Sequence, residues 1–241
     1  LNLARNPRPV PSAPTILIVG ASRGLGAAMA AGFLGRGWNV IGTVRTASRT
    51  VLHDLAEKHH GRVAIEALDI DEAGQVAALR GRLAGKTLDI LFVNAGTTTH
   101  DQRVHVGDVA TEEFVRVMVT NALGPMRVIE ALQDLVPADG LIGVMSSGQG
   151  SIANNETGMR EVYRSSKAAL NMSMRSFAAR EAEHPRAMVA LAPGWIRTDL
   201  GGPEAPYTIE ESVPLLVDLL ISKLRVPGLQ YLDRFGHTVP W

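Results

Sequence analysis

Apolar residues along this chain come in short unbroken runs separated by segments of helical periodicity. Thr15–Gly20, Trp38–Arg45, Arg62–Leu68, Leu88–Val93, Leu141–Met145, Ala187–Leu191 and Leu229–Leu232 are the runs. Runs this short and this continuous predict strands buried on both faces, as in a parallel sheet. Helical patterns follow Gly26 and recur over about Val51–His60, Asp71–Leu83, Thr111–Val136, Arg160–Glu183 and Ile209–Leu224. For the fourth helix Thr111 is the expected N-cap, with Glu112 and Glu113 in the first turn. Strand alternating with helix at this rhythm predicts an α/β fold: a doubly wound, seven-stranded parallel sheet flanked by helices. No internal repeat or domain boundary interrupts it, so residues 15–241 read as a single domain. Residues 1–14 hold four prolines and no apolar segment of signal-peptide type; they read as an extended arm.

Composition narrows the function classes. Of 241 residues, 46% are hydrophobic and 20% charged, a globular balance that argues against disorder. Formal net charge is zero, so no global field recruits nucleic acid or an anionic membrane. No apolar run reaches the length of a membrane span. The absence of cysteine excludes disulfides, thiol catalysis and thiolate metal sites, and is compatible with a reducing cytoplasm. His100, Asp101, His105 and Asp108 share no helical face, and no metal site is expected there.

The first strand runs into Gly20-Ala-Ser-Arg-Gly-Leu-Gly26 and then a helix. Glycines let backbone approach a pyrophosphate, and a helix N-terminus offers free N–H groups and a positive dipole. The other reading is a plain tight turn. The second strand ends Thr43-Val-Arg45, with no carboxylate to repel a ribose 2′-phosphate and with Arg45 able to pair with one. Arg23 can reach the same phosphate; otherwise the two are ordinary surface arginines. NADPH is thus expected over NADH. Asp69, at the end of the third strand, either meets adenine or caps the next helix. Asn94-Ala-Gly96 breaks the fourth strand with small residues suited to backbone passing beneath a ligand. Asn121 is a polar amide among apolar positions, either a structural link or a site residue. Ser147 follows the fifth strand, at the edge where ligands bind in open α/β sheets. It lacks the nucleophile-elbow context, which leaves it as a hydrogen-bonding group. Tyr163 and Lys167 are four apart on one helical face. At about 5 Å and an effective dielectric near 20, an ammonium favours the phenolate by roughly 3 kcal/mol, or about two pKa units. Thr198 leaves the sixth strand where it can bond an amide. Gly201–Tyr207 reads as a small cover over the site.

These motifs, in this order, resemble the short-chain dehydrogenase/reductase family from Thr15 to the end. The match rests on Gly20–Gly26, Asn94-Ala-Gly96, Asn121, Ser147, Tyr163-x-x-x-Lys167 and Pro193-Gly-Trp-Ile-Arg-Thr198. A nearer likeness is to the branch holding C-signal-like proteins and sniffer-type carbonyl reductases. It is carried by Ser146–Asn155, Tyr163–Met172, Pro193-Gly-Trp195 and the Pro-Trp ending. Two departures are Val93, where the family usually has asparagine, and Ala192 before Pro-Gly.

The resemblance implies a Rossmann-type fold and a catalytic set of Asn121, Ser147, Tyr163 and Lys167. Tyr163 would protonate the developing alkoxide and Ser147 would hold its oxygen. Lys167 would lower the tyrosine pKa and bind ribose hydroxyls, and Asn121 would hold a water linking Lys167 to solvent. The dinucleotide would lie on Gly20, Ser22, Arg23, Gly24, Leu25 and Gly26, with Arg45, Asp69 and Ile70 at its adenosine end. Asn94, Ala95 and Gly96 would pass beneath it. Tyr163, Lys167, Pro193, Gly194, Trp195, Ile196 and Thr198 would flank the nicotinamide. The expected reaction is NADPH-dependent reduction of a small or medium carbonyl compound, from a pocket around Gly96–Val104, Gly148–Val162 and Trp195–Tyr207 that suits no large anion. A homodimer or homotetramer through the fourth and fifth long helices is also implied. The competing reading is an NADP(H)-binding signalling or scaffold protein with vestigial redox chemistry; against it, all four polar catalytic positions are filled.

Overall fold

A computed structural model describes residues 13–183 and 186–241; most of the expected N-terminal arm lies outside them. The strands are β1 (Thr15–Val19), β2 (Asn39–Val44), β3 (Val63–Ala67), β4 (Ile90–Val93), β5 (Leu141–Met145), β6 (Ala187–Ala192) and β7 (Gly228–Asp233). They form one seven-stranded sheet in the order β3-β2-β1-β4-β5-β6-β7, and every pairing is parallel. The helices are α1 (Gly24–Gly35), α2 (Val51–Lys58), α3 (Ala73–Arg82), α4 (Thr111–Met118), α5 (Gly124–Leu132), α6 (Glu161–Arg180) and α7 (Ile209–Lys223).

The unbroken apolar runs have a direct cause. Along β1, Ile16 and Ile18 enter a core shared with Phe33 of α1 and Leu216 of α7. Leu17 and Val19 enter a second core shared with Leu79 of α3, Ile129 of α5 and Phe177 of α6. Alternate side chains thus fill opposite layers, and the central strands are apolar on both faces. Since all strands are parallel, their C-terminal ends share one edge, and β1 and β4 meet at the point where strand order reverses.

The structure revises two local expectations. Ala110, not Thr111, is the N-cap of α4, with no side-chain cap. The long helix is also not continuous: Val119–Leu123 is π-helical and separates α4 from α5. That widened turn carries Asn121 inward, fully buried, and π-turns often mark functional positions.

The junction of β1 and α1 is tightly packed. A Cβ on Gly26 would lie 2.1 Å from the Gly20 carbonyl oxygen and 2.6 Å from the Asn94 side-chain nitrogen. Gly26 is therefore a packing residue of the loop rather than a wall of the cleft. Gly26→Ala is expected to destabilise the fold by about 2 kcal/mol or more, read as a lower urea midpoint with an unchanged slope. Wild-type stability in that variant would mean the close approach is absent.

Candidate active site

At the shared strand edge a cavity of about 640 Å³ runs from the glycine loop to the segment after β6. That size is within the about 300–1,000 Å³ usual for ligand sites. Its floor is braced from both sides. The Gly20 N–H donates to Thr43 Oγ1 at 2.9 Å, the Ala21 N–H to the Thr43 carbonyl at 2.9 Å, and Asn94 Nδ2 to the Gly20 carbonyl at 2.8 Å. Thr43, unremarked in the sequence, is thus the second strand's hold on the loop.

Helix α1 begins inside the loop, capped by no side chain and with no acid in its first turn. Its first N–H groups, beside the cavity-lining Gly24 and Leu25, lack intrahelical acceptors and carry the positive end of the dipole, the donor set an anionic pyrophosphate needs. Four buried polar atoms of cavity-lining residues also lack partners among the described residues: Asp71 Oδ1, Thr98 Oγ1, Gln149 Oε1 and Arg160 Nε. Orphaned groups of this kind are expected where a ligand completes the hydrogen bonding. The residues present fit a dinucleotide.

Of the residues anticipated for cofactor binding, Gly20, Ser22, Arg23, Gly24 and Leu25 line the cavity, as do Arg45, Asp69 and Ile70. So do Asn94, Ala95 and Gly96, together with Tyr163, Lys167, Pro193, Gly194, Trp195, Ile196 and Thr198. Arg45 is exposed and has no ion-pair partner among the described residues. Arg23 meets Asp199 at 2.9 Å across the cleft. Asp69 does not cap α3, whose N-cap is Glu72; its Oδ1 accepts from the Asp71 N–H at 3.1 Å. Of the presumed cover, Gly201 alone lines the cavity. Its carbonyl accepts from the Trp195 indole at 2.6 Å, and Tyr207 folds away beneath Arg234, 3.3 Å from its ring centre. The pocket stretches shrink likewise: Thr99–Val104 and Gly150–Met159 stay outside the walls.

Helix α6 brings Tyr163 and Lys167 inward, 8% and 3% exposed. Lys167 Nζ donates to the Met145 carbonyl at the end of β5, 2.8 Å away, and lies 5.8 Å from the centre of the Tyr163 ring. Burial pulls the lysine down from 10.5 to about 8. Burial also pushes the Tyr163 phenol up, opposed by the Ser147 hydroxyl and by the Arg160 guanidinium. The lysine-driven fall expected from the spacing is therefore overturned. Helical spacing sets which side chains are neighbours, whereas desolvation, invisible in the spacing, dominates the ionisation.

Ser147 lines the cavity and accepts from the Gln149 N–H at 3.1 Å. Its backbone carbonyl accepts from the Tyr231 hydroxyl, and the Tyr231 ring packs against Trp241, tilted by 42° with ring centres 5.1 Å apart. The Pro-Trp ending therefore supports the serine from behind. Asn121 does not line the cavity. Its Oδ1 accepts from the Thr97 N–H at 2.7 Å, and its Nδ2 donates to the Thr97 carbonyl at 2.8 Å and to Ser166 Oγ at 2.9 Å. Ser166 Oγ in turn donates to the Tyr163 carbonyl at 2.7 Å. Asn121 thus ties the loop after β4 to the helix bearing Tyr163. Gly96 keeps open a point 3.3 Å from both Asn121 Oδ1 and Lys167 Nζ, where a Cβ would otherwise sit. Sequence reasoning missed Arg160, Arg116, Thr98 and Gln149 as individual wall residues; nothing in their spacing marks them.

A doubly wound sheet with a glycine-loop anion cradle, and at its edge a part-buried Ser147 beside buried Tyr163 and Lys167, defines a class: oxidoreductases that use a nicotinamide dinucleotide. The family model described as short chain dehydrogenase matches residues 14–206, and the chain belongs to the short-chain dehydrogenase/reductase family. A Burkholderia multivorans protein assigned to that family, solved with bound NADP, is 62% identical, with a TM-score of 0.94 over 95% of this chain and 100% of that one. C-signal of Myxococcus xanthus is 34% identical over 156 residues, 64% of this chain and 93% of that protein. The carbonyl reductase Sniffer of D. melanogaster is 26% identical, with a TM-score of 0.87 over 95% of this chain and 100% of that one. The branch resemblance read from the motifs stands. Among the described residues no helix is long and apolar enough to cross a membrane, and no group of three or more His, Cys, Asp or Glu could hold a metal.

The buried lysine gives a stability signature. Between about pH 8 and 10 the unfolded chain keeps the Lys167 proton while the folded chain has released it. The unfolded state then binds more protons, and stability rises with pH. Lys167→Met should lack a gain on the order of 2 kcal/mol across that window, measured as urea stability against pH for the two proteins. Parallel profiles would show that the ammonium is not desolvated.

Proposed function

We propose that this protein reduces a small or medium carbonyl compound to an alcohol with NADPH, and that Tyr163 is its proton donor. The observation that carries this is the convergence of Tyr163, Ser147 and Lys167, from α6 and the end of β5, on the cavity beside Pro193–Ile196. When bound, the nicotinamide supplies hydride to the carbonyl carbon. Ser147 donates its hydroxyl hydrogen bond to the substrate oxygen where negative charge accumulates. Tyr163 passes its phenolic proton to that oxygen. Its raised pKa keeps the proton in place at neutral pH until an alkoxide, far more basic than a phenolate, forms beside it. Two N–H donors of Lys167 have no protein partner among the described residues and are assigned to the ribose hydroxyls. A water held between Lys167 and Asn121 would resupply the proton.

The adenosine end favours NADPH over NADH because Arg45 lines the cavity, exposed and with no carboxylate partner among the described residues, while Arg23 lines it already paired with Asp199. Apolar side chains of Val115, Leu123 and Met172 are exposed on α4, the π-turn and α6, which supports a homodimer or homotetramer through those helices. A cytoplasmic setting fits the NADPH requirement.

Tyr163→Phe should keep NADPH binding while losing at least about 100-fold in turnover, followed by NADPH absorbance over a panel of aldehydes, ketones, diketones and quinones. Retained turnover would sink the assignment. Arg45→Ala should raise KM for NADPH about tenfold and leave KM for NADH nearly unchanged. Equal effects on both cofactors would remove the 2′-phosphate from Arg45.

A further inference from the structure

The cations in the cavity wall differ in how they are matched. Arg23 pairs with Asp199. Arg116 is held by Thr97 Oγ1 at 2.9 Å, by the Thr98 carbonyl at 2.9 Å and by Glu113 at 3.4 Å. Lys167 donates to Met145, and Arg45 stands at the adenosine end. Arg160 is the exception on the substrate side. Its guanidinium has no carboxylate and no hydrogen-bond acceptor among the described residues, and its buried Nε lacks any partner. It lies 5.2 Å from the centre of the Tyr163 ring, so the charge sits next to the proposed proton donor.

The backbone at this position is also unusual. Gly158, Met159 and Arg160 all adopt left-handed φ, between 57° and 62°. For two non-glycine residues in sequence this is strained, at about 1–2 kcal/mol each. Arg164 braces the turn, donating from Nε to the Met159 carbonyl at 2.9 Å and from Nη2 to Thr157 Oγ1 at 3.2 Å. A strained, braced turn that ends by delivering an unmatched guanidinium to a reaction cavity is the arrangement expected of a ligand clamp. The unpartnered Thr98 Oγ1 and Gln149 Oε1 lie in the same wall.

We propose that Arg160 determines specificity by receiving a carboxylate carried close to the reacting carbonyl, so that the substrates are small oxo acids rather than neutral ketones. A half-buried guanidinium without a counter-ion gains most from a bidentate carboxylate, whose planar pair of oxygens matches its fork. The carboxylate would lie over the same side of Tyr163 as the guanidinium and fix which carbonyl oxygen reaches Ser147. This inference rests on the carbonyl-reductase reading above.

The test is calorimetric binding of benzoylformate and of its methyl ester to the NADP⁺-saturated protein, for the wild type, Arg160→Met and Arg160→Lys. The oxidised nicotinamide attracts the acid equally in all three proteins, so differences between them report on residue 160. The wild type should bind the acid at least about tenfold more tightly than the ester. Arg160→Met should weaken acid binding about 30-fold and ester binding far less, with Arg160→Lys recovering part of the acid preference. Equal affinity of the wild type for acid and ester, or an equal loss of both ligands in Arg160→Met, overturns the assignment. NADPH turnover run in parallel separates it from the underlying reading. Acid-selective binding without turnover supports Arg160 and counts against the reductase. Turnover of ester and neutral ketones with no acid preference overturns Arg160 alone.

Discussion

A lysine ammonium buried under the end of β5, with one carbonyl for a partner, is the constraint around which the site is built. Burying Lys167 costs free energy, visible in its fall to about 8, and the Met145 carbonyl offsets only part of it. The position of α6 follows from that contact. The helix must lie close enough to the sheet for Nζ to reach the strand end, and the same depth buries Tyr163. Buried charges with incomplete partners are poor evidence for stability and good evidence for function. Around it the helix otherwise buries neutral side chains: Leu170, Met174 and Phe177 packed on the sheet, and Ser166 and Asn171 with hydrogen-bond partners of their own.

Much of the fold was legible because a parallel sheet covered on both faces leaves one kind of sequence trace. Each strand appeared as an apolar run, and β5 was bounded to the residue. What stayed hidden depends on interactions distant in sequence. The π-turn at Val119–Leu123 leaves no period of its own in so short a span, and the helical pattern on either side conceals it. The left-handed turn before α6 was equally unreadable, since Met159 and Arg160 are residue types that φ preferences argue against. Tyr163 and Lys167 were found by spacing, yet their ionisation was misjudged, because burial is a property of the packed layers and not of the helix.

Asn121 shows how a residue can be singled out correctly and yet be placed off the cavity. As a polar amide in an apolar stretch it needed buried partners, and it has three, from the loop after β4 and from α6. Through Ser166 those bonds reach the backbone of Tyr163 itself. The amide thereby fixes the distance between the Asn94–Gly96 floor and the helix opposite. Tyr231 does the same from the other side by holding the Ser147 carbonyl. Two braces, one from the middle of the chain and one from near its end, therefore set the separation of the two hydroxyls that the proposed reaction requires.

The cleft's charge pattern divides it into two ends with different demands. Its acids in the wall are Asp69 and Asp71 after β3 and Asp199 after β6, and Asp199 is already matched by Arg23. Asp69 and Asp71 thus stand where a nucleotide base would offer donors. Toward Tyr163 the wall holds a guanidinium and an ammonium with no carboxylate between them. The Ser147 hydroxyl and the Arg160 guanidinium favour the phenol's anion, but burial outweighs them and keeps Tyr163 protonated. A substrate carboxylate on Arg160 would screen that cation and raise the phenol's proton affinity further. The effect is opposite in sense to what a general acid ordinarily wants, and it is tolerable because the acceptor is an alkoxide. An acid-binding clamp beside the proton donor is therefore compatible with reduction, and would hinder the reverse reaction, which needs the phenolate.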